Sequence, residues 1–231
     1  YYFYKNIVAV TCEVWFAFFN GFSGQIYFGD FLPMLYNAVW TSWPCMLTYI
    51  FEQDLSAKDC YKHPCAFKEG QKNYYFTAVG FWKWILLGIF HGAVCFWLPF
   101  AGLDSDLSGK DLGLWATSTI SFTLVIHVVS YKLFMETVFV NAINLSAGAV
   151  CVAVYYLSIF LLNTDSVALL VQPQLNQVFF EMFSIPGTWL VLFFAPALAL
   201  LPDFIFAAWR QVFYPSFSES VLKKNQKLKI K

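Results

Sequence analysis

Long apolar runs separated by short polar stretches dominate the chain. A membrane-spanning helix needs about 20 mostly apolar residues. Six segments meet that length, at about 1–19, 31–51, 81–101, 114–133, 142–162 and 185–207. Polar connections fall at 20–30, 52–80, 102–113, 136–141 and 163–184, and a polar tail starts at 210. This pattern predicts an all-α, polytopic membrane helical bundle: a transmembrane domain at 1–209 with six transmembrane helices, then a basic tail at 210–231. The spans recur in hydrophobicity without a recognisable sequence repeat.

Composition supports the pattern. The chain is 59% hydrophobic and 12% charged, with a mean hydropathy of +0.59. Soluble domains carry about 25% charged residues, so 14 basic and 14 acidic side chains are too few to coat a soluble core of 231 residues. The 21% aromatic content suits interfacial aromatic belts. The chain opens at Tyr1-Tyr2-Phe3-Tyr4-Lys5-Asn6, already inside apolar sequence, with neither a basic leader nor a small-residue cleavage site. The first helix therefore reads as cut, and the chain as a segment of something longer.

The net charge of zero hides a separation. With six spans, Lys58, Lys62, Lys68, Lys72, Lys132, Arg210, Lys223, Lys224, Lys227, Lys229 and Lys231 fall on one side. Lys110 alone falls on the other, among Asp104, Asp106 and Asp111. By the positive-inside rule the 52–80 connection and the tail are cytosolic. The tail is either a topology signal ending in disorder or a lure for anionic lipid. Of the cysteines, Cys60 and Cys65 with His63 fall short of the four ligands of a closed zinc site, and no metal site is expected.

Ionisable groups inside hydrocarbon are costly and mark functional suspects. The first helix holds Lys5 and Glu13, ~12 Å and ~80° apart on a helix, so each needs its own partner. Lys5, beside Asn6, either snorkels to the interface or lies deeper. In the second helix Pro44 crowds the Trp40 carbonyl and predicts a kink. Asn37, Thr41 and Ser42 precede it, Asn37 and Thr41 on one face, as a neutral polar strip. Such a strip is either part of a substrate path or a set of helix–helix hydrogen bonds. The shortage of carboxylates argues against a calcium or sodium cage. His91 and His127 read as packing residues, and Asp203 as a partner for Trp209, Arg210 or water. No nucleotide-binding glycine loop, nucleophile elbow or zinc-protease motif occurs.

Several strings resemble the type-IV P-type ATPases, the phospholipid flippases. Tyr4-Lys5-Asn6 and Trp15-Phe16-Ala17-Phe18-Phe19-Asn20-Gly21-Phe22-Ser23-Gly24-Gln25 resemble the fifth membrane helix of that family. Leu35-Tyr36-Asn37, Thr41-Ser42-Trp43-Pro44 and Ile50-Phe51-Glu52-Gln53-Asp54 resemble the sixth and its exit. Tyr61-Lys62-His63-Pro64 and Phe67-Lys68-Glu69-Gly70-Gln71-Lys72-Asn73 resemble the following loop, and Leu201-Pro202-Asp203 the end of the last helix.

The resemblance implies membrane helices five to ten of an ATP-driven lipid transporter, moving phospholipids from the exoplasmic to the cytosolic leaflet. The phosphorylated Asp and the ATP and Mg2+ sites would lie upstream. It implies roles for Lys5, Asn6 and Asn37 in lipid selection or coupling, to which the polar strip adds Thr41 and Ser42. Its implied partners are a phospholipid, the plasma membrane or Golgi/endosomal membranes, and a glycosylated accessory β-subunit, with no nucleic acid. Trp43 departs from the smaller apolar residue common in the family. Rival readings of the residues alone are a stand-alone six-span carrier or channel, and a structural bundle that binds a partner subunit.

Overall fold

The computed structural model describes residues 1–67, 71, 77–103 and 112–229, without the side chains of 66 and 224–229. Lys68, Lys72, Asp104, Asp106, Lys110, Asp111 and Lys231 of the charge pattern lie outside the described residues, as do the side chains of Lys224, Lys227 and Lys229.

Apolar sequence of this length must satisfy its backbone internally, and a helix does so within one segment. Among the described residues all regular structure is helical. The longer elements are α1 (Tyr2–Phe19), α2 (Phe31–Leu35), a π-helical turn (Tyr36–Trp40) and α3 (Ser42–Phe51). After the short α4 (Ala57–Lys62) come α5 (Ala78–Gly102), α6 (Leu114–Glu136) and α7 (Ala142–Leu162). The chain ends with α8 (Asp165–Val171), α9 (Val178–Ser184), α10 (Pro186–Phe213) and α11 (Phe217–Lys229).

Four of these, α5, α6, α7 and α10, are long and apolar enough to cross a membrane. The other two predicted spans differ for physical reasons. The 18-residue α1 carries Lys5 and Glu13, and the 31–51 segment is interrupted by the π turn. One connection and the tail are also more ordered than the sequence pattern suggested. The 163–184 stretch folds into α8 and α9, and 217–229 of the tail is helical rather than irregular.

The bundle is built around α6. In its most apolar window 78% of residues are buried, against 33% or less for the other three long helices. Its small hydroxyl residues suit a crowded centre. Thr123 shares a 2.7 Å hydrogen bond with Tyr155 of α7, and Ser121 a 2.8 Å bond with Tyr27. Around it, Trp40, Phe122 and Tyr155 form an edge-to-face aromatic cluster that ties the π turn to α6 and α7.

On one flank α1 packs closely along α5. Gly88 and Gly92 let the backbones approach, since a Cβ at Gly92 would stand 2.6 Å from the Val8 carbonyl oxygen. At one end of the bundle, Phe3 meets Phe81, and Glu52 accepts hydrogen bonds of 2.9 Å from the backbone N–H groups of Val138 and Phe139. The start of α1, the exit of α3, the start of α5 and the α6–α7 turn are therefore neighbours. At the other end Phe19 packs on Trp97 and Phe100. The long helices thus alternate in direction.

Candidate functional site

The second predicted span breaks at Thr41, next to the Trp40 carbonyl that Pro44 crowds. The Thr41 N–H donates to the Tyr36 carbonyl five residues back at 3.2 Å, the winding of a π turn. Thr41 then leaves helical geometry (φ −122°, ψ −13°) and α3 restarts at Ser42. Pro44 consequently occupies the first turn of α3, where a missing N–H costs no intrahelical bond. The hydroxyls of the strip serve the break itself. Thr41 Oγ1 donates to the Tyr36 carbonyl at 2.7 Å, and Ser42 Oγ to the Asn37 carbonyl.

The extra residue of the π turn also rotates the polar strip. Thr41 is buried and faces α1, whereas Asn37 is exposed. The regular-helix expectation of one shared face for Asn37 and Thr41 is corrected accordingly.

Lys5 is fully buried, and its Nζ donates to Thr41 Oγ1 at 2.8 Å. The ammonium also lies 4.6 Å from the centre of the Tyr2 ring and 5.8 Å from that of Tyr36, which its charge favours. In return the Tyr36 hydroxyl donates to the Lys5 carbonyl at 2.7 Å. A closed ring of hydrogen bonds therefore joins α1 to the break. Among the described residues no carboxylate lies within ion-pairing distance of Lys5. A buried cation held by one hydroxyl and aromatic rings is costly, so its presence asks for a functional reason.

Beside this ring lies a cleft of about 120 Å³ between α1 and the broken helix. Asn6, Glu13, Phe28, Tyr36 and Asn37 line it. The Asn6 side-chain amide donates to the Tyr2 carbonyl at 3.1 Å. Glu13 accepts from the N–H groups of Tyr27 (2.8 Å) and Phe28 (3.0 Å) and so fastens the 20–30 connection to α1. Burial pushes the Tyr27 phenol above its usual range, leaving it a neutral partner of Ser121. The structure thus groups Lys5 with Thr41, and Asn6 with Asn37, while Ser42 closes the break.

A second polar constellation escaped the sequence reading. Lys132 Nζ pairs with Asp203 at 2.6 Å and with Glu136 at 2.8 Å. His91 Nε2 stands 3.7 Å from the same Asp203 oxygen, and His91 Nδ1 meets the Tyr4 hydroxyl. Asp203 therefore serves Lys132 and His91, whereas Arg210 pairs with Glu219 of α11 at 3.1 Å. Nothing in the local sequence around Lys132 points to a partner on α10. His127 has a simpler setting, 3.1 Å from the Tyr156 hydroxyl.

Over residues 1–216 the chain matches the family described as phospholipid-translocating P-type ATPase C-terminal. The chain belongs to that family. Among similar proteins, mouse phospholipid-transporting ATPase FetA is 28% identical over 229 residues, covering 97% of this chain and 19% of its own length. Phospholipid-transporting ATPase IC of Xenopus tropicalis is 28% identical over 252 residues, with coverage of 99% and 19%. The human probable phospholipid-transporting ATPase IM is 28% identical over 228 residues, with coverage of 96% and 19%. The chain spans about a fifth of the length of these relatives. Lys5, Asn6, Asn37, Thr41, Ser42 and Pro44 all fall within the part matched by this flippase family, whereas α11 lies beyond it.

Proposed function

We propose that this chain is the carboxy-terminal membrane portion of an ATP-driven phospholipid flippase, moving phospholipid from the exoplasmic to the cytosolic leaflet. Six spans with a cytosolic tail, as the charge pattern predicts, form its transmembrane domain. The observation that carries the reading is the buried Lys5 fastened to Thr41 at a helix break, beside a cleft lined by Asn6 and Asn37. Family membership supplies the class of substrate.

The chemistry suits a headgroup better than a bare cation. A headgroup crossing hydrocarbon needs hydrogen-bonding groups along its way, while its acyl chains stay in lipid. The amides of Asn6 and Asn37 offer both donors and acceptors. Lys5 adds a cation that an anionic or zwitterionic headgroup can approach from the cleft side. The π turn gives a place where α2 and α3 can re-angle without melting either helix. In this scheme Lys5, Asn6, Asn37, Thr41 and Ser42 contribute to the lipid pathway and its coupling, and the remaining helices support them.

ATP and Mg2+ act in parts of the longer protein outside this chain. Among the described residues no three His, Cys, Asp or Glu side chains converge as a metal site would require, and no step here runs through those groups. An accessory β-subunit on the exoplasmic side, and a plasma-membrane or Golgi/endosomal location, complete the proposal. Asn37→Ala tests it, because that side chain is exposed to the cleft and dispensable for packing. Lipid-stimulated ATP hydrolysis by the intact ATPase should fall severalfold at unchanged protein abundance. Unaltered lipid stimulation would remove Asn37 from the pathway.

A further inference from the structure

Within the bundle, apart from the lipid cleft, four side chains from four different helices lie in one line, its Asp203–His91 step being close approach rather than a hydrogen bond. Lys132 of α6 pairs with Asp203 of α10 at 2.6 Å. The same carboxylate oxygen stands 3.7 Å from His91 Nε2 on α5. On its other side, His91 Nδ1 meets the hydroxyl of Tyr4 on α1. Tyr4 and His91 are both completely buried, and Lys132 is only 5% exposed. Ion pairs of this kind contribute little net stability once desolvation is counted, and their best-attested use is to fix register. The geometry here is suited to that use, because Tyr4 is the residue immediately before Lys5.

The chemistry has a direction. A carboxylate 3.7 Å from Nε2 acts through its field and favours the histidine tautomer that carries its proton there. Nδ1 is then the acceptor, and the Tyr4 hydroxyl must donate to it. The charge at Asp203 thereby biases the tautomer to which the Tyr4 hydroxyl donates. A further constraint acts on the same two helices, since Gly88 and Gly92 bring α1 so close to α5 that α1 has little room except to slide or turn. A hydrogen bond at Tyr4 opposes both motions. One residue on, the Lys5 ammonium reaches Thr41 across to the broken helix at 2.8 Å, a distance that a small turn of α1 would lose.

We propose that Asp203, held by Lys132 and acting through His91 and Tyr4, is a positioning residue that keeps α1 in the register at which Lys5 engages Thr41. Lipid coupling at the front of the bundle is thus tied to α6 and α10 at its back. This inference rests on the reading of Lys5 given under Proposed function, and a double-mutant comparison separates the two.

In the intact ATPase, the lipid concentration for half-maximal stimulation and the maximal rate are measured for Asp203→Asn, Tyr4→Phe, Lys5→Met, and each of the first two combined with Lys5→Met. Tyr4→Phe removes only one hydroxyl and leaves the ion pair, so it serves even if Asp203→Asn lowers abundance. Asp203→Asn and Tyr4→Phe are each expected to raise the half-maximal lipid concentration at least fivefold. Added to Lys5→Met, each should have no further effect, because neighbours in one network are non-additive. Full additivity with Lys5→Met, or a Tyr4→Phe protein with the wild-type lipid response, would overturn the positioning role while leaving Lys5 in place. A Lys5→Met protein with the wild-type lipid response would overturn both readings.

Discussion

The ammonium of Lys5 asks more of its surroundings than any other side chain of α1. Its one hydroxyl partner is Thr41, and that hydroxyl also occupies the Tyr36 carbonyl. Thr41→Val keeps the shape but strips both bonds, and leaving a buried cation short of a partner costs on the order of 1–3 kcal/mol or more. Thermal inactivation of the intact ATPase should therefore come several degrees earlier, and adding Lys5→Met should restore part of the loss. If the double variant is less stable than Thr41→Val alone, the pair is not what holds the break together. Glu13 makes a separate case. Its carboxylate accepts from two backbone N–H groups, and Gln offers only one acceptor oxygen. Glu13→Gln should loosen the 20–30 connection, seen as faster limited proteolysis near Gly21–Ile26, where Gly21 and Gly24 hold positive φ. Wild-type cleavage rates would contradict that anchoring role. Lys5 and Glu13 were legible as suspects because a charge stands out in an apolar run. Their partners were not, since Thr41 is reached only through the π winding and Tyr27 only through the fold of the following loop.

At the scale of elements, the long helices follow directly from hydrophobic run length, and α5, α6, α7 and α10 lie where the apolar pattern predicts them, with ends that differ by a few residues. What the pattern hides is how they touch. A run of apolar residues does not say which glycines face a neighbour, and Gly88 and Gly92 gain meaning only when α1 lies on them. Gly92→Leu forces side-chain atoms into the Val8 carbonyl and Thr11, and overpacking of this kind costs about 1–3 kcal/mol. Membrane abundance of the intact protein should drop accordingly, whereas normal abundance and a normal melting curve would refute the close approach of α1 and α5. The break in the second span gives an opposite expectation for Pro44. Proline there sits in the first turn of α3, so Pro44→Ala leaves the π turn and Thr41 unchanged. Stability and lipid-stimulated hydrolysis should stay within about twofold of wild type. A large loss would return the kink to Pro44. The sequence rule pointed to the Trp40 carbonyl beside the break, but the π winding of the preceding turn leaves no residue signature.

For the whole molecule, the alternation of helix direction places the exit of α3, the start of α5 and the α6–α7 turn at one end, to which Lys58 and Lys62 of α4 and Lys132 near the end of α6 also belong. The proposed topology puts that end in the cytosol. Cys65 is exposed and Cys60 half-buried in the 52–80 connection, while Cys12, Cys45, Cys95 and Cys151 are buried. A membrane-impermeant thiol reagent should therefore label Cys65 from the cytosolic face only, and labelling from outside intact cells would invert the topology. The Asn6–Asn37 cleft beside Lys5 is proposed to carry lipid. Its most direct test is ATP-driven movement of a labelled phospholipid by the intact ATPase in reconstituted vesicles, comparing wild type with Asn37→Ala at equal incorporated protein. Asn37→Ala should slow the initial rate severalfold. Equal rates for the two proteins would contradict it.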